Sequence, residues 1–197
     1  MGCGKQCWVV MILVLALVSV GHAETYDLQY FLTKASSKEG ELTKRERTEL
    51  LDRVEATMGQ TQRVHRKLTE AIQGGELDIR YQEGKFWMSK FEQDRGSIES
   101  GLQQLQMLKE KPTNLASSIK LYKALKDLSS NFNTYNNKES FSSWVGDLAP
   151  EIELWADPIF YRLYLLPLAQ SKDAEKKPAP KENPQKEKSA PTKGKKP

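Results

Sequence analysis

Thr43–Gly75 reads TKRERTELLDRVEATMGQTQRVHRKLTEAIQGG, and this stretch decides the fold. Thr43 precedes Glu46 by three residues, the spacing at which a hydroxyl and a carboxylate each cap a free amide of a helix start. Leu50, Leu51, Val54, Met58, Val64, Leu68 and Ile72 then recur every three or four residues, with Thr61 in the missing turn. That period is helical. Gly74-Gly75 closes the run, because glycine suits the left-handed backbone that ends helices. The stretch predicts a helix of about 30 residues, about 45 Å long.

The pattern continues on both sides. Leu77, Tyr81, Met88, Phe91, Ile98, Leu102 and Leu105 predict a second long helix from Glu76 to Glu110, with Gly84 and Arg95 at the remaining stripe positions. Two long helices joined by Gly-Gly fold back as an antiparallel hairpin. Their spacing, near 3.5 residues, suggests coiled-coil-like packing. A third helix starts near Thr113 or Asn114, with Leu115, Ile119, Tyr122, Leu125, Leu128 and Phe132 on its apolar face, and fades into the asparagine-rich stretch 131–137. Short helices are expected around Glu139–Leu148 and from Ile159 to about Gln170, the latter capped by Asp157-Pro158 and kinked or ended at Pro167. Upstream, Tyr26, Leu28, Tyr30, Phe31, Leu32 and Ala35 make a short amphipathic lead-in, broken by Ser36-Ser37 and Gly40. No period-two strand pattern and no repeat interrupts this. The fold class is all-α: a long antiparallel helical hairpin with shorter helices packed as a bundle.

The chain ends carry the expected address. Residues 1–23 read as a signal peptide, with Lys5, a 13-residue apolar run Trp8–Val20 and small residues at Gly21 and Ala23. The run is short for a membrane span, which needs about 20 residues. Met1-Gly2-Cys3 lacks the Ser or Thr at position 6 that a myristoylation motif requires, and Gln6 stands there. Cleavage after Ala23 removes Cys3, Cys7 and His22, leaving no thiol and His65 as the single imidazole. Residues 24–170 are the expected helical-bundle domain, which packs without disulfides. Residues 171–197 hold nine lysines, four acidic residues and five prolines, and are disordered by composition. The tail carries +5 and residues 1–23 carry +1, of +4 for the whole chain, so residues 24–170 carry −2. Basic character therefore belongs to the tail, which speaks against a nucleic-acid-binding face on the domain.

Little raw material for catalysis is left. Zinc sites want three or four His or Cys ligands, and no Glu-x-x-His pair suits a di-iron bundle. There is no Gly-x-Ser-x-Gly elbow and no phosphate loop. Acidic residues sit beside basic ones at helical spacing, as Glu49 does with Arg53. No enzyme, metal or cofactor is expected. His65 reads as the edge of a solvated basic face beside Arg63, Arg66 and Lys67. Eight aromatic residues fall within positions 132–164. They are read first as core, and Trp144, Trp155, Phe160 and Tyr164 are the candidate partner contacts. The expected function is an exported, secreted or periplasmic, non-enzymatic interaction, adaptor or scaffold module at the cell envelope. Its expected partner is a protein or an anionic envelope or membrane surface, with the tail as spacer or tether. Two alternatives stand beside it. One is a haem-type carrier using His65 with Met88, His65 being level with Gly84 in the hairpin. The other is a paired-carboxylate envelope hydrolase.

Overall fold

The structure is a computed structural model that describes residues 26–37, 41–77 and 79–176. The predicted signal peptide and most of the predicted tail lie outside the described residues. Helices are α1 (Leu28–Ser36), α2 (Lys44–Gln73), α3 (Tyr81–Glu110), α4 (Leu115–Asn136), α5 (Glu139–Val145), α6 (Leu148–Leu154), α7 (Trp155–Leu165) and α8 (Leu166–Lys176). Among the described residues there is no strand, and the chain is an all-α helical bundle.

Both ends of α2 form as the sequence dictates. Thr43 Oγ1 accepts from the Glu46 amide at 3.2 Å, and Glu46 Oε2 accepts from the Thr43 amide at 2.7 Å. At the other end the Glu76 amide reaches back to the Ala71 carbonyl and the Gly75 amide to that of Ile72. This is the Schellman closure, with Gly75 at φ +72°. A Cβ on Gly75 would meet nothing within 4 Å. Gly75→Ala is therefore expected to lower stability by about 1 kcal/mol through backbone strain alone, read as a shifted urea midpoint at unchanged slope.

The hairpin is antiparallel. Ile72 lies opposite Gly84, His65 opposite Phe91, Met58 opposite Gly101, and Glu55 opposite Gln106. In turn α3 and α4 are antiparallel, with Asp94 against Asn131 and Tyr135, Gly101 against Ala124, and Met107 against Ser117. At Gly101 a Cβ would stand 2.5 Å from Met58 Cε and 3.5 Å from Ala124 Cβ. The missing side chain lets the neighbours close in there. The chain then returns as α5, α6 and α7, packed against both α4 and α2. Thr57 on α2 meets Glu151, and Arg47 lies over the Tyr164 ring, so the return runs antiparallel to α2. The result is an up-down-up-down four-helix bundle whose fourth member is assembled from short pieces.

The breaks in that fourth member have local causes. Gly146, at φ +52°, separates α5 from α6. Asp157 is extended, at φ −131° and ψ 125°, because the following Pro158 disfavours helical backbone before it. Around this kink α7 takes wide π-type hydrogen-bond spacing, with the Leu166 amide reaching the Tyr161 carbonyl. Across α7 lies α1, its Phe31 ring 5.9 Å from that of Trp155.

Several expectations need correction. α3 begins at Tyr81, not Glu76: Gly74 and Gly75 turn the chain, and Glu76, Leu77, Ile79 and Arg80 are not helical. Its buried face is Trp87, Phe91, Asp94, Ile98, Gly101, Leu105 and Leu108, spaced alternately four and three. Asp94, not Arg95, fills the polar turn of that face, and Tyr81 stands in solvent at 76 % exposure. The hairpin sets His65 opposite Phe91 instead of Gly84. Helix α4 does not fade at Asn131 but continues to Asn136. Pro167 does not end the last helix: α8 follows α7 without a break, where the π-type spacing gives way to α, and continues to Lys176.

Candidate functional site

Two features hold chemistry: a polar network inside the bundle and an apolar strip outside it. The network centres on Asp94, which is fully buried. Its Oδ1 accepts from Asn131 Nδ2 at 2.5 Å, and its Oδ2 accepts from the Tyr135 hydroxyl. Asn131 Oδ1 in turn accepts from Lys90 Nζ at 2.8 Å. Burial pushes the Asp94 carboxyl above its ordinary 3.8, against the pull of the hydrogen bonds from Tyr135 and Asn131. Burial and the neighbouring carboxylate both raise the Tyr135 phenol, so it stays a donor. Rings close around the pair: Phe91 lies 5.2 Å from Tyr135, Phe132 5.4 Å, Trp87 5.7 Å and Phe141 6.1 Å.

His65 is not the solvated edge that its basic neighbours suggest. It is buried, its ring is 5.6 Å from Phe91, and Nε2 lies 2.7 Å from the Phe91 carbonyl, to which it donates. That nitrogen is therefore occupied by backbone. Met88, its expected companion, is half-buried against the core. Among the described residues no three His, Cys, Asp or Glu side chains gather as a metal site, and no helix is long and apolar enough to cross a membrane.

The aromatic candidates divide. Trp155, Phe160 and Tyr164 are buried. Trp155 Nε1 donates to Glu151 Oε1 at 3.2 Å, and the Tyr164 hydroxyl donates to the Pro112 carbonyl at 2.9 Å. Phe160 stacks on Tyr164 with ring centres 5.0 Å apart. Burial raises the Tyr164 phenol to about 12, with Arg47 pulling the other way. These three rings tie the return segment into the bundle and offer almost no outer surface. Trp144 is half-buried against the core.

Outward apolar side chains occur on α3, at Tyr81, Phe86 and Met107, and beside the buried rings, on residues that periodicity alone assigned inward or did not single out. Ile119 on α4 is 51 % exposed, Tyr161 on α7 39 % and Leu166 at the start of α8 37 %. The Tyr122 and Tyr161 rings meet at 5.5 Å and join α4 to α7. A shallow depression lined by Pro112, Leu115, Ala116 and Ile119 extends the strip. The Lys126–Asp157 ion pair, 3.0 Å, flanks it, and Asp157 also accepts from the Tyr122 hydroxyl at 3.0 Å. The signal that finds this strip is spatial: Ile119 and Tyr122 share one helix face three residues apart, and only the folded return brings Tyr161 to them.

No family model, no characterised protein and no solved structure matches this chain.

Proposed function

We propose that this chain is an exported, non-enzymatic interaction module of the cell envelope, and that it holds a protein partner on the strip formed by Ile119, Tyr122, Tyr161 and Leu166. One observation carries the reading: partly exposed apolar side chains from α4 and α7 meet on the outside of a bundle whose centre holds buried rings, with Leu166 exposed at the start of α8. Apolar surface with aromatic residues and a charged rim is the composition of protein–protein contacts. The envelope address rests on the export signal and the lysine–proline tail read from the sequence. The buried groups that a carrier would recruit, His65 foremost, are engaged inside the bundle.

Site-specific photocrosslinking from position 116, exposed in the depression beside Ile119, in native envelopes, tests the reading. A discrete adduct is expected, together with its loss, by about tenfold or more, in an Ile119→Glu/Tyr161→Glu double variant. Because Tyr161 also packs on Tyr122, the melting curve of the double variant and capture by Ile119→Glu alone separate loss of the contact surface from loss of the fold. Equal capture by the two proteins would overturn the strip as the contact surface. A chain ended after Lys176 separates the strip from the tail: undiminished capture there makes the tail a spacer.

A further inference from the structure

Asp94 is a buried carboxyl with no ion-pair partner among the described residues. Its two hydrogen bonds come from neutral donors, the Asn131 amide and the Tyr135 hydroxyl. A carboxylate removed from water loses hydration that neutral donors only partly replace. The titratable or charged groups facing it are His65 from α2, Tyr135 from α4 and Lys90 one turn back on α3. Lys90 spends its hydrogen bond on Asn131, and His65 spends Nε2 on the Phe91 carbonyl. From α5 comes Phe141, a ring packed on Tyr135.

We infer that the Asp94 carboxyl is an acid-responsive clamp between α3 and α4: it takes up a proton on mild acidification, and the neutral acid holds the two helices more firmly than the carboxylate does. Geometry permits the exchange. A proton on Oδ2 can be donated to Tyr135 Oη, since a phenol both donates and accepts. Oδ1 keeps the bond from Asn131, which Lys90 orients from behind.

The sign follows from linkage. A carboxyl protonated more readily in the folded than in the unfolded state binds more protons folded, so stability rises as pH falls toward the ordinary value of 3.8. Across the window the folding equilibrium constant changes by up to about tenfold per pH unit for one proton.

The test compares urea unfolding of the wild type, Asp94→Asn and His65→Gln between pH 7 and pH 4. An amide at position 94 reproduces the neutral acid, accepting from Asn131 and donating to Tyr135. Wild type is expected to gain stability on acidification relative to Asp94→Asn, and His65→Gln is expected to retain that gain. A carboxyl 13C titration of Asp94 in the wild-type protein, which needs no variant to fold, should show a midpoint above 3.8. Three results would each overturn the clamp: an Asp94 midpoint at or below that value, a pH slope in Asp94→Asn equal to the wild type, or loss of the slope in His65→Gln.

Discussion

Phe91→Ala is expected to destabilise the bundle by about 3–5 kcal/mol. Phe91 is buried at the middle of α3, with its ring 5.6 Å from that of His65, 5.2 Å from that of Tyr135 and 6.0 Å from that of Phe141. Those rings belong to three other helices, so the void opens where α2, α3, α4 and α5 meet. Collapse into it is hindered, because Tyr135 is held by Asp94 and His65 by the Phe91 carbonyl. A poorly collapsing site puts the loss at the upper part of the range for large-to-small changes. The hydrogen bond from His65 goes to backbone and survives the substitution, so the measured loss belongs to packing. Urea unfolding at pH 7 gives the value. A loss below about 1.5 kcal/mol, the size of a tolerated volume-conserving swap, would mean that the ring cluster is not the closed centre of the fold.

That cluster also marks the limit of what periodicity reveals. Helix ends were legible because capping is local chemistry: Thr43 with Glu46, Gly75 at φ +72°, and Asn114 accepting from the Ser117 amide at 3.2 Å. Long helices were legible because their apolar residues recur. A stripe built only from apolar residues, however, misses the positions where a core is polar. Asn131 and Tyr135 satisfy Asp94 from 37 and 41 residues away, His65 reaches the Phe91 carbonyl across 26, and nothing local distinguishes these side chains from a solvated face. Assigning Arg95 to the polar turn of α3 was an error of one residue, about 100° of helix. Ile119 is not inward for a related reason: α4 meets α3 through Ser117, Ala124, Asn131 and Tyr135, and Ile119 falls beyond that face. Trp155, Phe160 and Tyr164 were legible as an aromatic concentration. Their places, Trp155 against Phe31 of α1 and Tyr164 against Pro112 and Arg47, depend on a return path set by Gly146 and Asp157-Pro158 together.

Glu46→Ala is expected to release α1 and lower stability by about 2–3 kcal/mol. Glu46 is buried and collects the Lys34 ammonium, the Tyr30 hydroxyl and the Thr43 amide. Burial alone would raise its carboxyl, but these donors outweigh burial and hold it at about 2 against an ordinary 4.5. Alanine leaves the half-buried Lys34 without its ion-pair partner and removes one arm of the α2 capping box. Lys34 retains some access to water, which keeps the expected loss below that of a fully buried broken pair. What remains to hold α1 is apolar packing: Phe31 against Trp155, the buried Ala35, and Leu28 and Leu32 against the core. Backbone amides of Leu28–Ser36 should then exchange faster, while those in the middle of α2 and α3 follow only the global loss. The pH dependence has the opposite sign to that of Asp94. A carboxyl whose folded value is lowered stabilises fully above its unfolded value, and the contribution is lost as pH falls from 4.5 toward 2. Wild type should therefore lose its protection of α1 across that acid window, and Glu46→Gln should show weaker protection with no such transition. Amide exchange of α1 that is identical in wild type and Glu46→Ala would mean that apolar packing alone docks this helix.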